Sequence, residues 1–350
     1  MIAYFKKYQL HFKRPAGTSR GVYNTRIIWL LFLKENERIG IGECAPLPDL
    51  SKESPEQVEQ RLKAICANPN EYIIHPELLQ DIPSVRFGLE AAKLDLENGG
   101  NQILFPSTFT SGEEGIPING LIWMGDYTFM QQQIREKSKA GFQCIKLKIG
   151  AINFERELSL LQSLKYLKGR QNIMIRADAN GAFQPDQALQ KLNQLAEFDL
   201  HSIEQPIAAG QWEEMAKLCD ETPIPIALDE ELIGINSKDE KEALLDIIRP
   251  QFLVLKPSLH GGFAGCDEWI NLANERSIGW WITSYLESNI GLNAIAQWIF
   301  TKHPKMYQGL GTGQLFTNNF DSPLEIRGEQ LWFDQQKTFV LPEELSDPKQ

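Results

Sequence analysis

Five charged residues recur along the chain at nearly even steps, each closing an apolar run. They are Lys148 in Cys-Ile-Lys-Leu-Lys-Ile-Gly, Asp178 in Ile-Met-Ile-Arg-Ala-Asp, Glu204 in His-Ser-Ile-Glu, Asp229 in Pro-Ile-Ala-Leu-Asp and Lys256 in Phe-Leu-Val-Leu-Lys. The gaps of 30, 26, 25 and 27 residues suit one strand, one helix and two connections. One charged group at the end of each successive strand is what a (β/α) barrel produces, since its active site gathers at the strand C-termini. Strand signals near 116–123, 144–149, 172–178, 201–204, 224–229, 252–256, 279–284 and 306–310 give eight strands. Helical stretches lie between them, among them Glu155–Lys168, Gln184–Glu197 and Gly262–Arg276.

Residues 1–112 follow another pattern. Tyr4–Lys13, Thr25–Lys34 and Arg38–Ala45 read as strands, with a Pro/Gly/Ser/Arg loop at Arg14–Gly21. Helices are expected at Pro55–Ala67 and at Val85–Asn98, which stops at Gly99-Gly100. The expected fold class is therefore α/β: a modified TIM barrel over 113–314, preceded by an α+β domain over 1–112. A tail over 315–350, with one strand at Gln330–Asp334, follows a completed barrel and is expected to pack back on the first domain.

With 350 residues, 42% of them hydrophobic, the chain can bury a large core. A net charge of −11 argues against a nucleic-acid partner and against a membrane surface. The longest apolar run, Ile27–Leu33, is too short to span a bilayer. Five cysteines, odd in number and far apart, suit free thiols better than a disulfide framework or a zinc site. The opening residues lack a signal peptide's apolar core and cleavage site. The expectation is a cytoplasmic protein, with monomer and homo-oligomer both open.

The chemistry follows from strand parity. Lys146 and Lys148 share one face, while Ile145, Leu147 and Ile149 share the other. The apolar set should meet the helices, leaving both lysines inside the barrel. Two buried like charges lower each other's hold on a proton, which would bring an amine toward the range of a general base. Asp178, Glu204 and Asp229 then converge on the same barrel mouth. One acid at a strand end is ordinarily a helix cap. Three in register repel strongly without a cation, and an all-oxygen set suits Mg²⁺ or Mn²⁺. Parity puts Glu230 opposite Asp229, as a group behind the ligands, and Asn180 is placed in the same supporting role. Gly261-Gly262 opens a helix whose free N–H groups could take a carboxylate. His260, alone in its loop, reads as a surface residue. The loops after strands seven and eight, Thr283–Ser288 and Gly309–Gly313, could hold anionic substrate groups.

Taken together, the Lys-x-Lys strand end, the Asp/Glu/Asp set and the facing lysine resemble the enolase superfamily in its muconate-lactonising subgroup. Within it, Gly40–Asp49, Pro83–Glu90, Ile226–Glu231, Lys256–Gly262, Ser284–Ser288 and Phe320–Leu324 are similar to the o-succinylbenzoate synthase family. The resemblance implies a capping domain completed by the tail, and a metal held by Asp178, Glu204 and Asp229. It implies a small carboxylate substrate, 2-succinyl-6-hydroxy-2,4-cyclohexadiene-1-carboxylate, dehydrated to 2-succinylbenzoate in menaquinone biosynthesis. Lys148 would be the base that returns its proton to the departing hydroxyl. Lys146 would tune it, and Lys256 would stabilise the anion from the other face. A capping loop around Thr18, Ser19 and Arg20 would close over the succinyl group, and Ser258, Gly262 and Ser284 would also contact substrate.

The same machinery admits N-succinylamino acid racemisation, with Lys148 and Lys256 as two bases. It also admits dipeptide epimerisation, but Gly309-Leu-Gly-Thr-Gly313 lacks the Asp-x-Asp of those epimerases. A metal-binding scaffold without catalysis is the reading from a different class, and retention of both lysines and all three acids argues against it.

Overall fold

The computed structural model describes residues 1–18 and 21–345. Strands β1 (Ile2–Thr18), β2 (Gly21–Glu35) and β3 (Arg38–Cys44) form an antiparallel sheet in that order. Helices α1 (Pro55–Ala67), α2 (Pro69–Ile74) and α3 (Pro83–Glu97) follow. Helix α1 starts where Ser54 and Gln57 cap each other reciprocally and Pro55 occupies the first turn. The unbroken apolar run Ile27–Leu33 is explained by burial on both faces of β2. Trp29, Leu31 and Leu33 face α1 and α3. Ile28, Leu30 and Phe32 face the rest of the molecule.

The loop expected at Arg14–Gly21 is largely strand. The β1–β2 ladder shifts register between His11 and Ala16, then resumes as Ala16 opposite Tyr23 and Thr18 opposite Gly21. The bulge absorbs Pro15, which has no N–H for the ladder.

Next come β4 (Ile116–Pro117), β5 (Gly120–Ile122), α4 (Tyr127–Lys139), β6 (Cys144–Lys148), α5 (Phe154–Gln171), β7 (Met174–Asp178), α6 (Pro185–Ala196) and β8 (Ser202–Glu204). Helix α7 (Trp212–Glu221), β9 (Ile226–Leu228), α8 (Lys238–Ile248), β10 (Phe252–Leu255), α9 (Gly262–Glu275), β11 (Gly279–Ile282) and α10 (Asn289–Phe300) complete the series. Strands β5 to β11 form one parallel sheet in sequence order. The segment expected at 306–310 closes the barrel with two bridges, Gln308 to Ile118 and Gly309 to Thr283. Gln308 N–H donates to Pro117 O at 2.9 Å, and Gly309 N–H donates to Ile282 O at 2.8 Å.

Residues 315–320 run beside β1, with Phe12 bridged to Phe316. The tail strand expected at Gln330–Asp334 does not pack on the first domain: a hairpin of β12 (Leu324–Arg327) and β13 (Gln330–Phe333) pairs with β4, and its Leu331 and Phe333 join the barrel core. Helix α2 and strand β12 were not legible in the sequence pattern, both being too short to show a period. No helix among the described residues is long and apolar enough to cross a membrane. Cys44, Cys66, Cys144, Cys219 and Cys266 are free.

Candidate active site

A cavity of about 400 Å³ opens at the C-terminal ends of the barrel strands, beneath β1 and the Leu47–Leu50 loop. Lys146, Lys148, Asp178, Glu204, Asp229 and Lys256 all line it. Parity explains the first pair: Ile145 and Leu147 are fully buried in the helix-facing core, so the lysines alternate inward. In the ladder Lys148 stands opposite Asp178, and Asp178 opposite Glu204. Strands β6 and β10 are separated by three others, so Lys148 and Lys256 rise from opposite walls.

The lysines neutralise the acids. Lys146 Nζ donates to both Glu204 oxygens at 2.7 Å and lies 2.9 Å from Asp178 Oδ2. Lys148 Nζ donates to Asp178 Oδ2 at 3.1 Å and to Asn180 Oδ1 at 2.7 Å. Lys256 Nζ donates to Asp229 Oδ1 at 2.5 Å and Oδ2 at 2.6 Å. The expectation that the lysines would weaken each other's basicity fails for Lys146. Burial pulls its ammonium down, but Asp178, Glu204 and Asp229 outweigh burial and hold it above its ordinary value. Asp178 and Asp229 are buried, yet their lysines keep both below the usual carboxylate range. Glu204 is pulled both ways: burial and Asp178 drive it well up against the opposing pull of Lys146. That crowding of negative charge is what a divalent cation relieves. The donor set of three buried carboxylates fits Mg²⁺ or Mn²⁺ chemically. As they stand, no three acidic, His or Cys groups among the described residues are drawn together around one metal position, because each carboxylate turns to a lysine.

Asn180, in the left-handed region at φ 45°, bridges Lys148 to Glu230, donating from Nδ2 to Glu230 Oε1 at 3.0 Å. Glu230 lines the cavity rather than the opposite face. Strand β9 ends at Leu228 and Glu230–Leu232 is a single 3₁₀ turn, so alternation does not carry past Asp229. Burial and then Asp229 push Glu230 up to about 6.

The remaining candidates divide. Ser284 lines the cavity and shares a 2.6 Å hydrogen bond with Thr312. Ser258 lies outside the lining and donates to Glu287. Gly262 also lies outside it. The N-terminus of α9 does take a carboxylate, but an internal one: Glu90 of α3 accepts from Phe263 N at 2.6 Å and from Ala264 N at 3.3 Å. A Cβ on Gly262 would sit 2.4 Å from Glu90 Oε2, so glycine is required by this approach. Ser19 and Arg20 lie outside the described residues, as does the side chain of Thr18.

The sequence reading missed Arg26, Glu43 and Tyr285. Arg26 is buried and donates to the carbonyls of Tyr285 and Ala45. Tyr285 closes one side of the cavity, its ring centre 5.9 Å from Lys256 Nζ. Arg26 and Glu43 carried the same signal as the lysines, a charge inside an apolar strand. His260 is buried as well, at 2% exposure. Burial, then Lys256, lower its pKa to about 3. The folded state therefore binds fewer protons than the unfolded one below about 6.5, and stability is lost as pH falls through that window. Urea unfolding at pH 7 and pH 5 should show about 2 kcal/mol of loss assignable to this residue. That part should be absent in His260→Asn, and an equal loss in the variant would refute the assignment.

Comparison with known proteins agrees with this geometry. Residues 130–336 match the family described as enolase C-terminal domain-like, and residues 3–96 match the MenC N-terminal domain. An o-succinylbenzoate synthase from Desulfotalea psychrophila is 47% identical, over 93% of this chain and 97% of the relative. A crystal structure of MenC from Desulfotalea psychrophila superposes with a TM-score of 0.83 at 43% identity, covering 95% of this chain and 99% of the other. An N-succinyl Arg/Lys racemase from Bacillus cereus superposes with a TM-score of 0.82 at 20% identity, covering 96% or more of each chain, and shares the fold. Enzymes of the enolase superfamily use divalent metal ions. The chain belongs to the enolase superfamily and, within it, to the o-succinylbenzoate synthase family of carbon–oxygen lyases.

Proposed function

We propose that the chain dehydrates 2-succinyl-6-hydroxy-2,4-cyclohexadiene-1-carboxylate to 2-succinylbenzoate, in menaquinone biosynthesis in the cytoplasm. The observation that carries this reading is the 47% identity over nearly the whole chain, joined to two lysines on opposite walls of one carboxylate-lined cavity. Asp178, Glu204 and Asp229 would hold Mg²⁺, with Mn²⁺ as a substitute, and the metal supplies positive charge against the ring carboxylate as the α-proton leaves.

Lys148 takes the α-proton on its amine nitrogen, and the C–H electron pair passes into the conjugated carboxylate. The resulting Lys148 ammonium gives that proton to the departing hydroxyl. The C–O bond breaks with its electron pair, water leaves, and the ring becomes aromatic. Asn180 holds Lys148 by the 2.7 Å bond to its Oδ1. Lys146 stays charged among the acids and touches the carboxylate. Lys256, facing from the other wall, stabilises the anion without moving a proton.

The division of the chain at residues 112 and 314 belongs to this proposal. The pairing of 315–320 with β1 supports a capping domain completed by the first part of the tail, while the 324–333 hairpin packs on the barrel. Racemisation of N-succinylamino acids would use the same first proton transfer and remains the second reading. Epimerisation of dipeptides is disfavoured, because Gly309 and Gly311 stand at the cavity where an acid would be needed for the substrate amine.

A steady-state assay with the cyclohexadiene carboxylate, run with Mg²⁺ and then with excess chelator, tests the reading. Turnover should fall by roughly 10³-fold or more on chelation and recover with Mg²⁺. No turnover by folded, Mg²⁺-supplied enzyme would overturn the dehydratase reading.

A further inference from the structure

The segment Lys256-Pro-Ser-Leu-His-Gly-Gly262 connects β10 to α9, and several of its backbone groups are spent on one another. Leu259 N–H and His260 N–H both donate to Lys256 O at 2.9 Å, and Gly262 N–H donates to Pro257 O at 2.8 Å. Ser258 donates to Glu287. The turn closes through a side chain: Lys256 N–H donates to His260 Nδ1 at 3.0 Å. Beyond Leu255 the ladder has ended, so the imidazole takes the place of a strand acceptor for the residue that carries the amine.

We propose that His260 is a positioning residue for Lys256, its Nδ1 fixing the backbone from which the Lys256 amine reaches Asp229 and the substrate. The proposal rests on the reading of Lys256 given above. With Nδ1 accepting, the proton of the ring sits on Nε2, and Nε2 has no hydrogen-bond partner among the described residues. Burying an unpaired N–H is unfavourable, and a leucine at this position would remove that cost. What the imidazole adds over leucine is the acceptor at Nδ1. The turn is packed against α9: a Cβ on Gly265 would sit 2.1 Å from His260 O, so the turn and the first turn of α9 are in contact. Misplacing a reacting group by about 1 Å costs on the order of 10²-fold in rate, so a small slackening at the Lys256 backbone is visible in turnover.

The test compares His260→Asn, His260→Gln and His260→Leu in the full chain with Mg²⁺. Asn presents its amide oxygen near the position of Nδ1, Gln near that of Nε2, and Leu presents no acceptor. His260→Asn should keep kcat within about threefold of the parent. His260→Gln and His260→Leu should lose roughly 30- to 100-fold in kcat, with KM changed by less than about threefold. Amide hydrogen exchange at Lys256 should be slow in the parent and in His260→Asn, and at least about tenfold faster in the other two. If His260→Leu does not fold, the Asn and Gln pair decides. A parent-like kcat in His260→Gln, or Asn no better than Gln, overturns the proposal. If the parent itself fails to turn over the cyclohexadiene, the functional reading falls, and the exchange data judge His260 alone: equal protection in Asn and Gln refutes it.

Discussion

Lys148→Ala should lose about 10⁴-fold in kcat with Mg²⁺ present, since one amine performs both the proton removal and its return. The fold should survive. Asp178 keeps a lysine 2.9 Å away in Lys146, which it then shares with Glu204, and unfolding free energy should fall by about 1–3 kcal/mol, less than for a carboxylate left with no cation. Exchange of the substrate α-proton with solvent should disappear together with turnover. The pairing of the two readouts matters: a loss of turnover with exchange intact would move the base elsewhere, to Lys256 or to Lys146. A kcat within tenfold of the parent would end the assignment of Lys148 as base.

The second large effect concerns stability. Glu43, on β3, is buried at 1% exposure and accepts from Ser288 N at 2.9 Å and Gly291 N at 2.9 Å, as well as from the Ser288 hydroxyl. It is an N-terminal cap for α10 supplied from 245 residues away. Burial raises its carboxyl above the ordinary range, and Ser288 opposes that. Glu43→Ala strands two helix N–H groups and a hydroxyl in a closed interface, and should cost about 3 kcal/mol or more. Glu43→Gln keeps one acceptor and should cost less than half as much. Denaturant unfolding of the two variants measures this directly, and a Glu43→Ala midpoint equal to the parent's would show that the interface can reorganise.

The barrel was legible because five successive strands, β6 to β10, are short, apolar and closed by a charge that burial alone would forbid. Lys146, Lys148, Asp178, Glu204, Asp229 and Lys256 announced themselves in this way, and the cavity brings all six together. Parity failed where regular backbone failed. Glu230 follows a strand that has already ended, and the turn there swings it inward. Arg14–Gly21 has the composition of a loop, but a bulge lets Pro15 stay within a strand. The interface of the two domains was hidden for a different reason. Nothing near Glu43 or Glu90 in the chain says that a helix terminus from residue 288 or 263 will arrive beside it. His260 was misread on frequency: isolated loop histidines usually face water, and this one is held by the backbone of Lys256.

The face of the β1–β2 ribbon turned toward the rest of the molecule packs on Phe316, Phe320 and Leu345 as well as on Leu286 and Ile290. During synthesis the ribosome makes that ribbon first and its cover some 280 residues later (315 − 35). At about 5–20 residues per second the interval is roughly 15–55 s. Leu10, Phe12, Ile28 and Leu30 lack their final neighbours throughout that time, and a long apolar ribbon in that state is prone to pair with other chains. Overexpression should favour inclusion bodies more strongly for this fold than for a barrel whose ends do not interlock.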